Sequence, residues 1–314
     1  MIGYLARRIA QSVLVVFVVS VVVFLMLHRL PGGPRSMLGK TATPAQVAQL
    51  TRQLGLNKPL PVQYGKWVSN LLHGDWGFSI THNQSVTSLI GERLPKTLLL
   101  TTVSLAIAVL LAIVLGLLQA MRRNRFIDYL MTFISFVFYA TPTFFLGLIL
   151  VLLLAVQVPV FPSSAPQSNS IAGLVAHSNG LVLPITTLVL VSLALFSRYV
   201  RSSAIDQLTE DYARTARAKG ASEARVLFRH VLRNVLIPVI TLLGLSLPWV
   251  FSGALVVESV FNYPGMGLLF WQAATAHDYP ILLSVTLVVS VATVVGSLLA
   301  DLAYAVLDPR VRYS

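Results

Sequence analysis

Asp211-Tyr-Ala-Arg-Thr-Ala-Arg-Ala-Lys-Gly-Ala-Ser-Glu-Ala-Arg-Val-Leu-Phe-Arg-His-Val-Leu-Arg-Asn-Val-Leu-Ile-Pro238 is a basic, helix-forming stretch between two very apolar ones. Ala213, Ala216 and Gly220 recur at i, i+3 and i+7, which gives one helix a narrow, smooth face. Arg214, Arg217 and Lys219 project elsewhere around it. Gly220 breaks that helix, and Ser222 can cap a second one with Glu223 in its first turn. Phe228, Val231, Leu232, Val235 and Leu236 then fall at helical spacing and lead to Pro238, which is expected to open an apolar span. The segment reads as a helix–Gly–helix elbow. Two uses fit it: docking a cytoplasmic partner, or lying against lipid phosphates.

The flanks set the class. The chain is 56% hydrophobic and 11% charged, with a mean hydropathy of +0.78. A soluble domain carries about 25% charged residues. An integral membrane protein is therefore expected. Its net charge of +12 is read through placement, since Lys and Arg are retained on the cytoplasmic side. A nucleic-acid partner is not expected. With no cysteine, disulfides and thiolate chemistry are excluded.

A helix crosses the hydrocarbon core in about 20 residues. Six segments qualify: 9–30, 97–121, 129–156, 181–200, 236–257 and 281–307. The first resembles a signal peptide, but its apolar run is too long, so it is read as a retained span. The third contains Pro142, which predicts a kink or tilt, and the fourth is the shortest. Arg7 and Arg8, Arg122 to Arg125, the basic residues between 198 and 233, and Arg310 and Arg312 share one side if the N-terminus is cytoplasmic. Loops 157–180 and 258–280 hold no Lys or Arg. Both termini are thus placed in the cytoplasm. The long loop 31–96 does hold basic residues, Lys96 and Arg93 among them, but long loops translocate regardless of charge.

That loop should be folded. Thr43-Pro44-Ala45-Gln46 has the form of a capping box with Pro at the first helical position, and Gly55 supplies a stop. A second helix is expected over 61–73, with Tyr64, Trp67, Val68, Leu71 and Leu72 as its apolar stripe and Gly74 at its end. The chain thus divides into an N-terminal span (1–30), an outer cap (31–96) and a five-helix core (97–314) with a cytoplasmic loop over 201–235.

At Tyr212–Gly220 and His230–Pro238 the chain resembles the signature loop of inner-membrane permease subunits of ABC importers. More narrowly, it is similar to the first permease of the dipeptide/oligopeptide class. The family pattern is Glu-Ala-Ala, three residues, then Gly. Here Arg214, Thr215 and Ala216 precede Gly220, so Arg stands where the general pattern has Glu. Tyr4–Arg8, Leu54–Tyr64, Gly74–Ser79, Val257–Gly267, Asp278–Pro280 and Leu307–Tyr313 extend the resemblance along nearly the whole chain. Gly33 departs from the subgroup, which usually has Asp there.

The resemblance implies an all-α membrane protein of six transmembrane helices with the type I ABC importer fold. It implies a second homologous permease beside this one, with substrate crossing between the two. Two ATPase subunits would bind below and an extracytoplasmic substrate-binding protein above, in a bacterial inner membrane. The cargo class it implies is di- and oligopeptides; relatives that carry nickel, haem or glutathione-like cargo remain the alternative. Tyr212, Arg214, Thr215, Ala216, Lys219 and Gly220 would couple to the ATPase, with Ala216 and Gly220 in close contact and Arg214 and Lys219 fixing orientation. No cofactor is expected in this chain, because ATP and magnesium would be held by the ATPases.

Other signals are weaker. Gly39-Lys40-Thr41 resembles the end of a phosphate loop, but the first required Gly falls on Pro34. The six histidines lack paired ligand spacing, and no catalytic motif appears, so the chain is not expected to be an enzyme. Ser135, Tyr139, Thr141 and Ser246 are candidates for a polar pathway or for hydrogen bonds between helices, with Pro142 and Pro248 as kinks beside it. Asp301 is the one acid well inside an expected span. An ion-driven secondary transporter is the competing reading; it usually carries mid-membrane ionisable groups and internal repeats.

Overall fold

The computed structural model describes residues 2–29, 43–53, 57–252 and 255–307. Gly33, the 39–41 triplet, Gly55 and the tail after Leu307 lie outside the described residues, as do the side chains of Pro248 and Asp301. Among the described residues, five helices are long and apolar enough to cross a membrane, and a bent pair makes up to six.

Helix α1 (Ile2–His28) is nearly bare, with Val13, Leu14 and Phe17 exposed, and packs on the last helix. In the outer segment, α2 (Pro44–Gln53) starts as expected. The Thr43 amide donates to Gln46 Oε1 at 2.9 Å and the Gln46 amide to Thr43 Oγ1 at 3.4 Å, a reciprocal capping box. Helix α3 (Leu60–Leu72) ends at Gly74, whose φ is +85°. Tyr64 and Trp67 turn onto α1: the Tyr64 hydroxyl lies 2.7 Å from Ser20 Oγ, and both rings meet Phe24. Leu72, expected in the same stripe, is instead 79% exposed. It sits in the last turn, beyond the reach of α1.

A two-stranded hairpin, β1 (Phe78–Ser79) with β2 (Gln84–Ser85), leads into α4 (Val86–Met121). The Ser85 hydroxyl caps that helix by accepting from the Ser88 amide. Helix α4 therefore begins eleven residues before the expected span, and 86–96 is its N-terminal extension rather than loop. At 36 residues it is about 54 Å long, well beyond a 30 Å hydrocarbon core.

The third expected span is not one helix with a kink. Helix α5 (Phe126–Ala140) and the helix from Thr143 to Gln157 (α6, Thr143–Val151, plus a π-turn) meet at 104°. Pro142 supplies the break, because it lacks an amide hydrogen and sits at the N-cap of α6. After α7 (Ile171–Ala176) and a 3₁₀ turn, α8 (Val182–Thr209) corrects the fourth span. It is one of the longest helices, not the shortest, since its polar C-terminal half hides it from a hydropathy reading. Helices α4 and α8 share the most extensive packing in the chain. Gly116 permits it: a Cβ there would fall 2.6 Å from Val200 Cβ and 2.9 Å from the Ser197 carbonyl.

The elbow consists of α9 (Asp211–Ala218), one turn of α10 (Glu223–Arg225), a π-turn (Val226–Val231) and α11 (Leu232–Ser252). Pro238 does not open a span; α11 runs through it. Two short helices, α12 (Leu255–Val260) and α13 (Met266–Ala276), precede α14 (Tyr279–Leu307), which packs on both α11 and α1.

Candidate functional site

The elbow is locked on its own core. Ala213 is fully buried and Ala216 nearly so, packed in one cluster with Leu117, Val226, Leu227 and Val231. The smooth face read from the sequence is thus turned inward. Ala216 is a packing residue here, not the close contact expected of it. Small side chains are needed because α9 lies tightly against the ends of its neighbours.

The end of α9 is fixed by its backbone. Ala221 N–H donates to the Ala216 carbonyl at 3.1 Å and Gly220 N–H to the Arg217 carbonyl at 2.9 Å. These are the two bonds of a Schellman motif, and Gly220 adopts φ +82° as that motif requires. Nothing lies within 4 Å of where its Cβ would be, so the need for glycine is conformational, not steric. Ser222 then caps α10 by accepting from the Arg225 amide.

Two braces tie the elbow together. The Arg217 guanidinium donates to both Glu223 oxygens, at 2.6 and 3.1 Å, and to the Leu208 carbonyl at 3.0 Å. The bond to Glu223 holds the Arg217 guanidinium above its ordinary pKa, so it stays a fixed cation. Tyr212 donates to Gln207 Oε1 at 2.7 Å and accepts from Asn234 Nδ2 at 3.1 Å, joining α8, α9 and α11. Tyr212 is therefore a brace as well. What α9 offers outward is Arg214, Thr215, Ala218, Lys219 and Gly220, all exposed. The Arg214–Asp211 contact, 3.6 Å between exposed side chains, is too weak to commit Arg214.

The second half departs from its expected stripe. The π-turn adds a residue, so the buried positions are Val226, Leu227, Val231, Val235 and Val239. Phe228, expected on one stripe with Val231 and Val235, is instead 64% exposed.

The candidate pathway residues are not brought into one polar track. Thr141 Oγ1 donates to the Val137 carbonyl at 2.7 Å and Ser246 Oγ to the Leu242 carbonyl at 2.8 Å. Both hydroxyls fold back on their own helices, which satisfies them without a partner helix. Ser135 is half-buried, and Tyr139 is exposed with the Arg198 guanidinium 5.4 Å above its ring. Pro142 marks the sharp bend.

Two charged clusters escaped the sequence reading. Asp128, one residue before an expected span, is buried and takes both the Nε and Nη2 of Arg201, at 2.6 and 2.7 Å, plus the Asn124 amide. It ties α5 to α8. Glu258 is fully buried at the other end of the bundle. It accepts from the Thr97 hydroxyl at 2.7 Å and from the Gly267 and Leu268 amides at 2.6 and 3.2 Å. The Thr97 oxygen in turn accepts from the Met266 amide. Between them they satisfy the first amides of α13. Tyr263 donates to the Lys96 carbonyl at 2.6 Å, and burial, aided by the Glu258 charge, pushes its hydroxyl pKa up, so it remains a donor. Beside this, Ser79 Oγ donates to Asp278 Oδ2 at 2.6 Å and Ser284 Oγ to the Trp76 carbonyl at 3.2 Å. The motif segments 74–79 and 278–280 therefore meet in space. The only sequence signal was the grouping of polar residues with glycine in those motifs. Among the described residues, no group of three or more metal-ligating side chains gathers.

Comparison with known proteins matches this architecture. The family model described as "Binding-protein-dependent transport system inner membrane component" matches residues 108–313. Its companion, "Binding-prot-dependent transport system membrane comp, N-term", matches residues 1–101. The chain is 41% identical, over the full length of both proteins, to the oligopeptide transport system permease protein AppB of Bacillus subtilis. It is 37% identical to a probable peptide ABC transporter permease of Sinorhizobium fredii, over 99% of each chain. It is also 37% identical, over the whole of each chain, to the glutathione transport system permease protein GsiC of Escherichia coli.

Proposed function

The chain belongs to the family of binding-protein-dependent transport system inner membrane components, and on that premise we propose that it forms, with a second permease, the route by which an ATP-driven importer takes up peptides. It is a multi-pass membrane permease and a transport subunit, not an enzyme. The family places it in an ABC system with a substrate-binding protein and ATPases, which displaces the ion-driven reading. Peptide cargo is supported by relatives named for peptides and oligopeptides at 37 and 41% identity across the whole chain. A glutathione permease at 37% makes a small, glutathione-like peptide the specific alternative.

One observation carries the mechanism: α9 is welded to the chain's own core yet keeps a free outward face. Ala213 and Ala216 fix the helix, and the Arg217 and Tyr212 braces make it move with α8 and α11. Arg214, Thr215, Lys219 and Gly220 are then left to meet an ATPase subunit, with ATP and magnesium held there. A displacement of α9 by ATP-driven closure of the ATPases would be passed to two membrane helices as a rigid-body motion. In this arrangement the elbow, and with it both termini, lies in the cytoplasm, and the 74–85 and 258–284 segments face the binding protein.

The test is ATP-driven uptake of labelled di- and oligopeptides, and of glutathione, by the reconstituted importer. Uptake of peptides that needs both ATP and the binding protein supports the reading. Lys219→Glu combined with Arg214→Glu should abolish uptake while the two permeases still co-purify. Normal uptake in that variant would refute the coupling assignment.

A further inference from the structure

The other side of the elbow is a different surface. Along α11 the outward positions Leu245, Ile240 and Ile237 are apolar and exposed, by 66, 39 and 50%. Followed toward the N-terminus, the same outward side continues through Arg233, Arg229, Phe228 and Arg225, all exposed. The opposite side, Val226, Leu227, Val231, Val235 and Val239, is buried in the chain. One helix edge thus passes from bare aliphatic positions to three guanidiniums, with Phe228 exposed between the last two of them.

Those guanidiniums are uncompensated. The one acid between 221 and 245 is Glu223, and Arg217 already occupies both its oxygens. None of the three guanidiniums has a hydrogen bond or ion pair among the described residues. Three like charges within nine residues repel one another unless an external anion lies among them.

We propose that this edge is a binding site for anionic phospholipids, whose phosphates sit on Arg225, Arg229 and Arg233 while their chains lie along Ile237, Ile240 and Leu245. A lipid offers both halves of the match, an anionic headgroup and aliphatic chains. An arginine fork takes two phosphate oxygens at once. A soluble ATPase reaches the cations but not the aliphatic positions that continue the edge inside the membrane. The site is separate from the outward face of α9, so its failure would leave the coupling assignment standing.

The test uses the whole importer complex, purified in mild detergent, with native mass spectrometry after addition of phosphatidylglycerol or phosphatidylcholine. ATP-driven uptake is measured in parallel in phosphatidylcholine vesicles with and without phosphatidylglycerol. The wild-type complex should retain phosphatidylglycerol roughly 25-fold better than an Arg229→Gln, Arg233→Gln variant, from about fivefold per arginine near an anionic surface. Phosphatidylcholine should be held equally weakly by both. The variant should keep its full subunit set and its uptake in phosphatidylcholine, and lose only the response to phosphatidylglycerol. Equal phosphatidylglycerol retention would overturn the proposal. So would loss of the second permease or an ATPase from the variant complex, which would make this edge a subunit interface. Displacement of the lipid by inorganic phosphate alone would reduce it to a simple anion site and would also overturn it.

Discussion

The two ends of this molecule handle charge in opposite ways. At the elbow, small apolar residues point inward and the cations point out: Ala213 and Ala216 are buried while Arg214 and Lys219 are exposed. At the other end the polar groups point inward. Glu258, Thr97, Ser79 and Asp278 are all buried, and they knit segments more than 150 residues apart, as the Glu258–Thr97 and Asp278–Ser79 bonds do. A buried polar network must be satisfied internally, so it sets one arrangement. An exposed cationic face leaves its bonds to be made by something else. The buried network is thus built for rigidity and the elbow for contact.

That contrast predicts unequal responses to substitution. Glu258→Ala should be the most damaging change. It strands the Thr97 hydroxyl and two amides of α13, at about 1–3 kcal/mol for each unpaired donor, or about 4 kcal/mol together. A large fall in the Tm of the detergent-purified complex would show it, and Glu258→Gln should recover part, because one carbonyl oxygen can still accept. An unchanged Tm for Glu258→Ala would mean that the outer network does not fix the fold.

Asp128→Ala should come next, at about 2–3 kcal/mol. The carboxylate is buried, but Arg201 keeps some exposure, which softens the loss below that of a fully buried pair. The Asp128→Ala, Arg201→Met double variant should be milder than Asp128→Ala alone, because no unpaired guanidinium remains. Thermal melting of the single and double variants measures this directly.

Gly220 sharpens the comparison from the contact side. Gly220→Ala should cost about 1 kcal/mol from its left-handed backbone, and Gly220→Asn should cost less, since Asn tolerates that region. Open space around the position means that Gly220→Trp should fold nearly as well as Gly220→Ala yet uncouple ATP hydrolysis from uptake. Normal coupling in Gly220→Trp would separate this site from the ATPase. The smallest effect on Tm should come from charge reversal at Arg214 and Lys219, where stability holds and uptake is lost.

Much of this was legible in the residues themselves. The membrane class, the capping box at Thr43, the helix over 60–72 and the Gly220 break all rest on local chemistry: hydropathy, caps and backbone freedom. The errors have separate causes. The fourth span looked short because hydropathy fails where a helix continues beyond the bilayer, as α8 does to Thr209. The α4 start was placed late because 86–96 is charged, although Lys96 is buried there. Phe228 was placed on one stripe with Val231 and Val235, but a π-turn changes the period, and nothing in the residue order announces it.

The sequence by itself determined that this is a multi-span membrane protein with a basic helix–Gly–helix elbow, since burial period, charge and glycine conformation are properties of neighbours in the chain; the permease reading came from the resemblance of its motifs. Only the tertiary structure decided which side of α9 faces out, that Pro142 makes a 104° turn rather than a kink, and that Glu258 reaches Thr97 and Ser79 reaches Asp278. Those outcomes depend on distant segments competing for the same space and the same hydrogen bonds, and no local pattern encodes which partner wins.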